Sequence, residues 1–157
     1  MENLQKFYIN GEWVTPLSSD TMPVMNPATE AQIGTVALGN AADVDRAVAA
    51  AAAAFESFSQ TSKAERMALL VNLKAITERR LEELAQAMRM EMGAPITMSR
   101  EVQADAAIGH LQGFIDALDE LEERLTPPNG DVVLREAIGG CGLITPWNWP
   151  MNQVTLK

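Results

Sequence analysis

Cysteine and histidine are almost missing from this sequence, with Cys141 and His110 the only examples among 157 residues. One thiol cannot close an intramolecular disulfide, and one thiol with one imidazole falls short of a zinc ligand set, so no metal is expected. Positive charge is scarce too. Twelve Lys and Arg stand against 21 Asp and Glu, for a formal charge of -9. No basic cluster or aromatic-interleaved basic stripe offers a surface to a phosphate backbone, which excludes nucleic acid as the expected partner. The opening MENLQKFYINGEW lacks a charged stretch leading into an apolar run and a small-residue cleavage site, so no secretory signal is read there and the cytoplasm is the expected location. Residues 138–156 carry no charge, yet they hold Pro146, Pro150, Asn148, Asn152, Gln153 and three glycines. Such a segment is not a transmembrane helix, and no membrane partner is expected.

What is present fits a globular chain of about one domain, with 47% hydrophobic and 21% charged residues. Phe7 to Val14 places aromatic and β-branched residues around Asn10-Gly11 and predicts a short hairpin. A second extended piece is predicted from Ile33 to Val36. Between them Asn26-Pro27-Ala28-Thr29 reads as a turn, because Asn before Pro is pushed out of the helical region.

From Asn40 the pattern becomes helical. Asn40 is a candidate N-cap for a helix with Asp43 in its first turn and an Ala-rich body running through Val48 to Phe55, where alanine permits close packing. Ser62-Lys63-Ala64-Glu65 is a capping box that opens a second helix, with Met67, Leu70, Leu73 and Thr77 along one face. A third helix is predicted over 80–92, closed by Gly93. Pro95 opens a fourth over 96–123, with Ile108, Leu111, Ile115 and Leu118 at helical spacing. Met88, Met90, Met92 and Met98 read as core filler rather than soft-metal ligands. Glu82, Glu83, Asp119, Glu120, Glu122 and Glu123 read as a solvated face, since nothing in the sequence pairs two of them in a cleft.

Thr126-Pro127-Pro128-Asn129-Gly130 breaks regular structure, and Asp131 to Glu136 has strand character. Gly139, Gly140 and Gly142 precede the strand-like Leu143-Ile144-Thr145. A dinucleotide fingerprint places its glycines after a strand instead, so these are not read as a phosphate loop. Beyond them Ile144-Thr145-Pro146-Trp147-Asn148-Trp149-Pro150 runs into a turn bracketed by two prolines. Such a turn can aim the neutral amide of Asn148 at developing negative charge. An Asx-type turn with packed tryptophans explains the same residues without any function.

The segment Gly142 to Pro150 resembles the strand and turn of aldehyde dehydrogenases. Tyr8-Ile9-Asn10-Gly11-Glu12-Trp13, Asn26-Pro27-Ala28-Thr29-Glu30, Asp43-Val44-Asp45-Arg46-Ala47-Val48 and Glu91-Met92-Gly93 accompany it in the family's order, so the resemblance covers essentially the whole chain. It implies an α/β fold, the N-terminal part of the aldehyde dehydrogenase fold, in which helices pack on the parallel sheet of a Rossmann-like cofactor-binding domain. In that scheme residues 1–124 form the N-terminal arm and helical part of the NAD(P)-binding domain. Residues 125–137 belong to an oligomerisation β element. Residues 138–157 begin the cofactor-binding sheet and the active-site turn, and the catalytic domain is absent from the chain.

The reaction so implied oxidises an aldehyde to a carboxylic acid through a cysteine thiohemiacetal and hydride transfer to NAD or NADP. Asn148 matches the oxyanion-hole amide, and Ile144, Thr145, Pro146 and Trp147 match the segment bordering the cofactor. Trp149, Asn152, Gln153 and Leu156 match the lining of the aldehyde tunnel, where they are more polar than in many relatives and suggest a somewhat polar substrate. Lys157 matches a lysine assigned to proton relay, although an ordinary helix lysine reads identically. Cys141 does not match the nucleophile and reads as a structural thiol.

The family's nucleophilic Cys and general-base Glu have no counterpart here, and the chain stops in the first turns of a helix without a stop signal, so a piece of a longer enzyme is expected. The resemblance further implies a homodimer or homotetramer when full length, with the strand near 131–136 a lone edge seeking a partner and apolar helix faces left exposed on the piece. Two alternatives stand beside this reading: a CoA-acylating semialdehyde dehydrogenase, and a truncated non-catalytic chain that associates with a full-length relative.

Overall fold

The computed structural model describes residues 5–157. The first four positions of the opening read for a secretory signal lie outside the described residues. β1 (Phe7–Ile9) and β2 (Glu12–Val14) form an antiparallel hairpin in which Tyr8 faces Trp13, their ring centroids 5.2 Å apart. Its turn follows from residue type, because Asn10 and Gly11 both take positive φ, at 53° and 80°, as a two-residue primed turn demands. β3 (Thr21–Met25) and β4 (Gln32–Ala37) pair antiparallel. β4 covers the extended piece expected at Ile33 to Val36, whereas β3 carries Pro23 and has no counterpart in the sequence reading. A two-stranded ribbon accommodates that proline because each strand keeps an edge that needs no ladder donor.

α1 (Ala41–Phe58) and α2 (Lys63–Arg79) begin at Asn40 and Ser62, each with both halves of a capping box formed. Asp43 does more than cap. Its carboxylate also accepts from Leu17 N at 2.8 Å, and this bond, with the one from the Asn40 backbone N–H, holds its pKa below the ordinary carboxylate value. The alanines of α1 do not produce close packing: Asp43 is the helix's one buried residue, and Val44 and Val48 are exposed. Along this helix Ala47, Ala50, Ala51 and Ala54 line a shallow pocket together with Tyr8 to Gly11 of the β1–β2 hairpin, and Gly140 lies beside Ala51.

α3 (Leu81–Met92) ends at Gly93, whose φ of 73° is left-handed. A side chain at this glycine would meet Pro27 Cγ at 2.7 Å. The turn at Asn26 and the end of α3, two of the segments that carry the family resemblance, are therefore packed against each other.

The single helix expected over 96–123 is a composite. α4 (Ile96–Met98) passes into a π-helical segment, Ser99–Ala104, and then into α5 (Asp105–Glu120). A π turn inserts an extra residue and shifts the apolar face, which periodicity counted over the whole stretch averages away. α5 stops at Glu120 because Leu121 turns extended, with ψ 122°, and the chain enters β5 (Arg124–Leu125). β5 pairs with β6 (Val133–Leu134), Arg124 opposite Leu134, so the strand read near 131–136 is half of a hairpin rather than a lone edge. Leu143-Ile144-Thr145 pairs with no strand among the described residues, and Ile144 is 90% exposed. β character there lacked the second strand on which a ladder depends.

The core lies among the later helices. Ala85, Met88 and Ala104 are buried together, with Leu81, Leu84, Met92, Ile96 and Met151 packed around them. Met88 and Met92 thus do serve as core filler. Arg100 on the π segment pairs with Glu82 of α3 through Nε at 2.7 Å and, with the Gln86 amide, lowers the Glu82 pKa to about 2. Arg66 with Glu123, and Lys63 with the Asp119 carbonyl, tie the start of α2 to the end of α5. The sheets formed by the described residues are three antiparallel pairs.

Candidate functional site

The site is built where chain without regular structure meets α6 (Pro150–Leu156). Pro150 occupies the first helical position, where its fixed φ is already helical and its missing N–H leaves nothing unsatisfied. The helix closes its first bond from Gln153 N to the Trp149 carbonyl at 2.9 Å. Proline therefore sets where the helix starts, and Asn148 falls two residues earlier in an exposed bend. Its side chain makes no hydrogen bond among the described residues, whereas the Asx turns at Asn26 and Asn129 do bond their own backbone, from Ala28 N and Asp131 N. An amide left unbonded by its own turn is free to act on a ligand.

Ile144, Thr145, Pro146 and Trp147 precede it as an exposed segment without secondary structure, Trp147 being 79% exposed. The segment is uncharged, with an exposed indole, and carries no cationic side chain that would hold a phosphate. Trp149, just before α6, and Asn152 and Gln153 on its first turn are half-buried, and Leu156 is exposed at its end.

Asn152 is held in place. His110 Nε2, from the middle of α5, lies 2.6 Å from Asn152 Oδ1 across 42 residues of sequence. An amide oxygen cannot donate, so the imidazole donates and carries its proton on Nε2. Lys157 gives its ammonium to Gln153 Oε1 at 2.8 Å, one turn back on the same helix, and lines an apolar groove rather than the Asn148 turn. That groove, about 710 Å³ between α2, α5 and α6, is walled by residues such as Leu70, Leu73, Phe114 and Val154. The exposed apolar helix faces expected from the sequence are these. Cys141 is exposed, and its Sγ lies 3.7 Å from the Gly139 carbonyl oxygen.

The structure thus brings together Asn152 with His110 and Gln153 with Lys157, and bonds neither pair to Asn148. His110 escaped the sequence reading, where a solitary histidine said only that zinc was excluded. No spacing rule links positions so far apart, although an uncommonly polar α6 was the available hint.

Among the described residues no helix is long and apolar enough to cross a membrane, and no group of three or more His, Cys, Asp or Glu gathers to hold a metal.

Known proteins match nearly the whole length of the chain. The profile of the aldehyde dehydrogenase family matches residues 13–157. A provisionally named aldehyde dehydrogenase of Staphylococcus aureus is 48% identical over 159 residues, covering 100% of this chain and 33% of that protein. The chain thus spans about a third of the length of the curated relatives it matches. Among solved structures, an aldehyde dehydrogenase from Bartonella henselae superimposes with a TM-score of 0.96 at 41% identity, over 100% of this chain and 34% of the other. A cysteine-to-alanine mutant of aldehyde dehydrogenase C from Pseudomonas syringae, complexed with NAD+ and octanal, gives 0.95 at 46% identity, over 99% and 32%. A Mycobacterium tuberculosis aldehyde dehydrogenase complexed with NAD+ gives 0.87 at 32% identity, over 96% and 32%.

Proposed function

Since the chain belongs to the aldehyde dehydrogenase family, we propose that its protein oxidises an aldehyde to a carboxylic acid with NAD or NADP, and that this chain contributes the oxyanion-stabilising turn. The observation that carries the reading is the Asn148 turn itself: an unbonded neutral amide on an exposed, proline-bracketed bend, inside the span that matches the family. Attack of a thiolate on an aldehyde places negative charge on the carbonyl oxygen, and an amide N–H fixed beforehand stabilises that charge without reorganising. Asn148 is the donor. A neutral donor leaves the oxygen able to collapse and expel hydride, which a full positive charge would hinder.

The nicotinamide cofactor, when bound, accepts that hydride. Ile144, Thr145, Pro146 and Trp147 border it through backbone groups and apolar surface, orienting the ring without entering the chemistry. Trp149, Asn152, Gln153 and Leu156 line the approach of the aldehyde. Lys157 serves proton relay; its ammonium rests on Gln153 and must leave that partner to do so.

In this reading residues 1–124 supply the arm and helical part of the NAD(P)-binding domain. Residues 125–137, with the β5–β6 hairpin, belong to the oligomerisation element, and residues 138–157 begin the cofactor-binding sheet and active-site turn. The working protein is a cytoplasmic homodimer or homotetramer whose nucleophilic Cys and general-base Glu lie outside these 157 residues.

The test is Asn148→Ala in the protein expressed from its whole reading frame. Loss of one such donor costs about 2.7–4 kcal/mol, so kcat falls by roughly 10²–10³-fold while the dissociation constant for the cofactor holds. Equal losses in turnover and cofactor binding would make Asn148 a structural residue. Product analysis separates the closest alternative, since a CoA-acylating enzyme releases an acyl-CoA where this reading requires the free acid.

A further inference from the structure

The His110–Asn152 hydrogen bond has no role in the reaction just described, yet among the described residues it is the one side-chain bond that ties α5 to α6. A carboxamide can present either its oxygen or its NH2, and a donor held on the oxygen leaves the NH2 free. His110 Nε2 lies 2.6 Å from Asn152 Oδ1 and, protonated there, holds the oxygen end. Asn152 Nδ2 has no protein partner among the described residues and is not one of the enclosed unbonded polar atoms, so it stays reachable from outside.

Asn152 follows Asn148 by four residues, a separation that even fully extended chain could not stretch beyond about 14 Å. In the reading proposed above Asn152 lines the approach of the aldehyde, so its NH2 is offered to a group several atoms along the substrate chain from the oxygen that sits on Asn148. We propose that His110 is a positioning residue that locks Asn152 with its NH2 outward, making Asn152 the specificity determinant for aldehydes bearing a hydrogen-bond acceptor, such as a hydroxyl or carboxylate, away from the reacting carbon. This rests on the aldehyde dehydrogenase reading above. A site that offers a fixed donor favours a substrate able to accept from it over an alkyl analogue that leaves the donor unpaired.

The experiment measures kcat/KM for hexanal, 6-hydroxyhexanal and 6-oxohexanoate in the protein expressed from its whole reading frame. Wild type is expected to favour the two substituted aldehydes, and the ratio between them tells hydroxyl from carboxylate recognition. Asn152→Leu and His110→Phe should each reduce the preference over hexanal by about five- to tenfold, mainly through KM. Their combination should reduce it no further, because both act through one bond. His110→Gln, whose amide can still donate to Asn152 Oδ1, should restore part of the preference. A ratio unchanged in Asn152→Leu or His110→Phe overturns the inference, as does a His110→Phe loss equal for all three aldehydes. A wild type that oxidises no aldehyde overturns the functional reading itself, an outcome distinct from an active enzyme without this preference.

Discussion

Replacing Gly93 by alanine tests how the N-terminal arm is fastened to the helices. Gly93 ends α3 at a φ of 73°, where an L-residue is disfavoured by about 1–2 kcal/mol. The restricted unfolded chain offsets about 0.4–1 kcal/mol of that. The new methyl would also stand 2.7 Å from Pro27 Cγ. That contact is closer than carbon atoms tolerate, and a proline ring has no free rotamer with which to yield. Overpacking of this kind adds about 1–3 kcal/mol, so Gly93→Ala should cost about 2–4 kcal/mol in all. Gly130 is the internal control: it has φ 85° but nothing within 4 Å of the place a methyl would occupy, so Gly130→Ala should cost about 1 kcal/mol from backbone conformation alone. Urea unfolding of wild type, both alanine variants and the Pro27→Ala/Gly93→Ala double mutant gives the four values needed. The double mutant should recover most of the excess. If Gly93→Ala proves no worse than Gly130→Ala, the arm is not seated on α3 and the contact argument fails.

Other outcomes follow from the core, the caps and the ion pairs. Met88→Ala empties a site 4% exposed among Ala85, Ala104 and Leu84, so urea unfolding should show a loss of about 2–5 kcal/mol, against less than about 1.5 kcal/mol for Met88→Leu. Asn40→Ala removes the side-chain acceptor for Asp43 N; thermal unfolding should show about 1 kcal/mol lost, and Asn40→Ser should restore much of it. Hydrogen bonds from Arg100 and, next, from Gln86 lower the Glu82 pKa from 4.5 to about 2. A carboxyl more acidic in the folded state adds stability above its unfolded value and loses it as pH falls toward the folded one. Stability should therefore decline from about pH 4.5 to about pH 2, less steeply in Glu82→Gln. Equal slopes in the two proteins would mean that the pair contributes nothing to acid sensitivity.

Sequence alone was sufficient wherever the controlling interaction closes within about four residues. Asn10-Gly11 specifies its own turn, Asn40 and Ser62 cap their own helices through Asp43 and Glu65, and Gly93 ends α3. These are hydrogen-bond and dihedral requirements of single residues, and their neighbours in sequence already satisfy them. The Asn148 turn was legible for a related reason, since two prolines restrict their surroundings wherever they occur, and the match to residues 13–157 placed it in a family.

The misreadings lie where a partner sits far along the chain or where one residue shifts a helical face. β3 forms because β4 is beside it, despite Pro23, whereas Leu143-Ile144-Thr145 has the composition of a strand and no mate among the described residues. The π turn at Ser99–Ala104 defeats a 3.6-residue count, and the alanines of α1, apt for close packing, meet little to pack on. The approach of Gly93 to Pro27, too close for a methyl, and the bond from His110 to Asn152 across 42 residues exist only once the chain has folded. Composition could supply the groups. Which of them came within bonding distance was a matter of non-local packing, because no periodicity within either segment encodes its distance from the other.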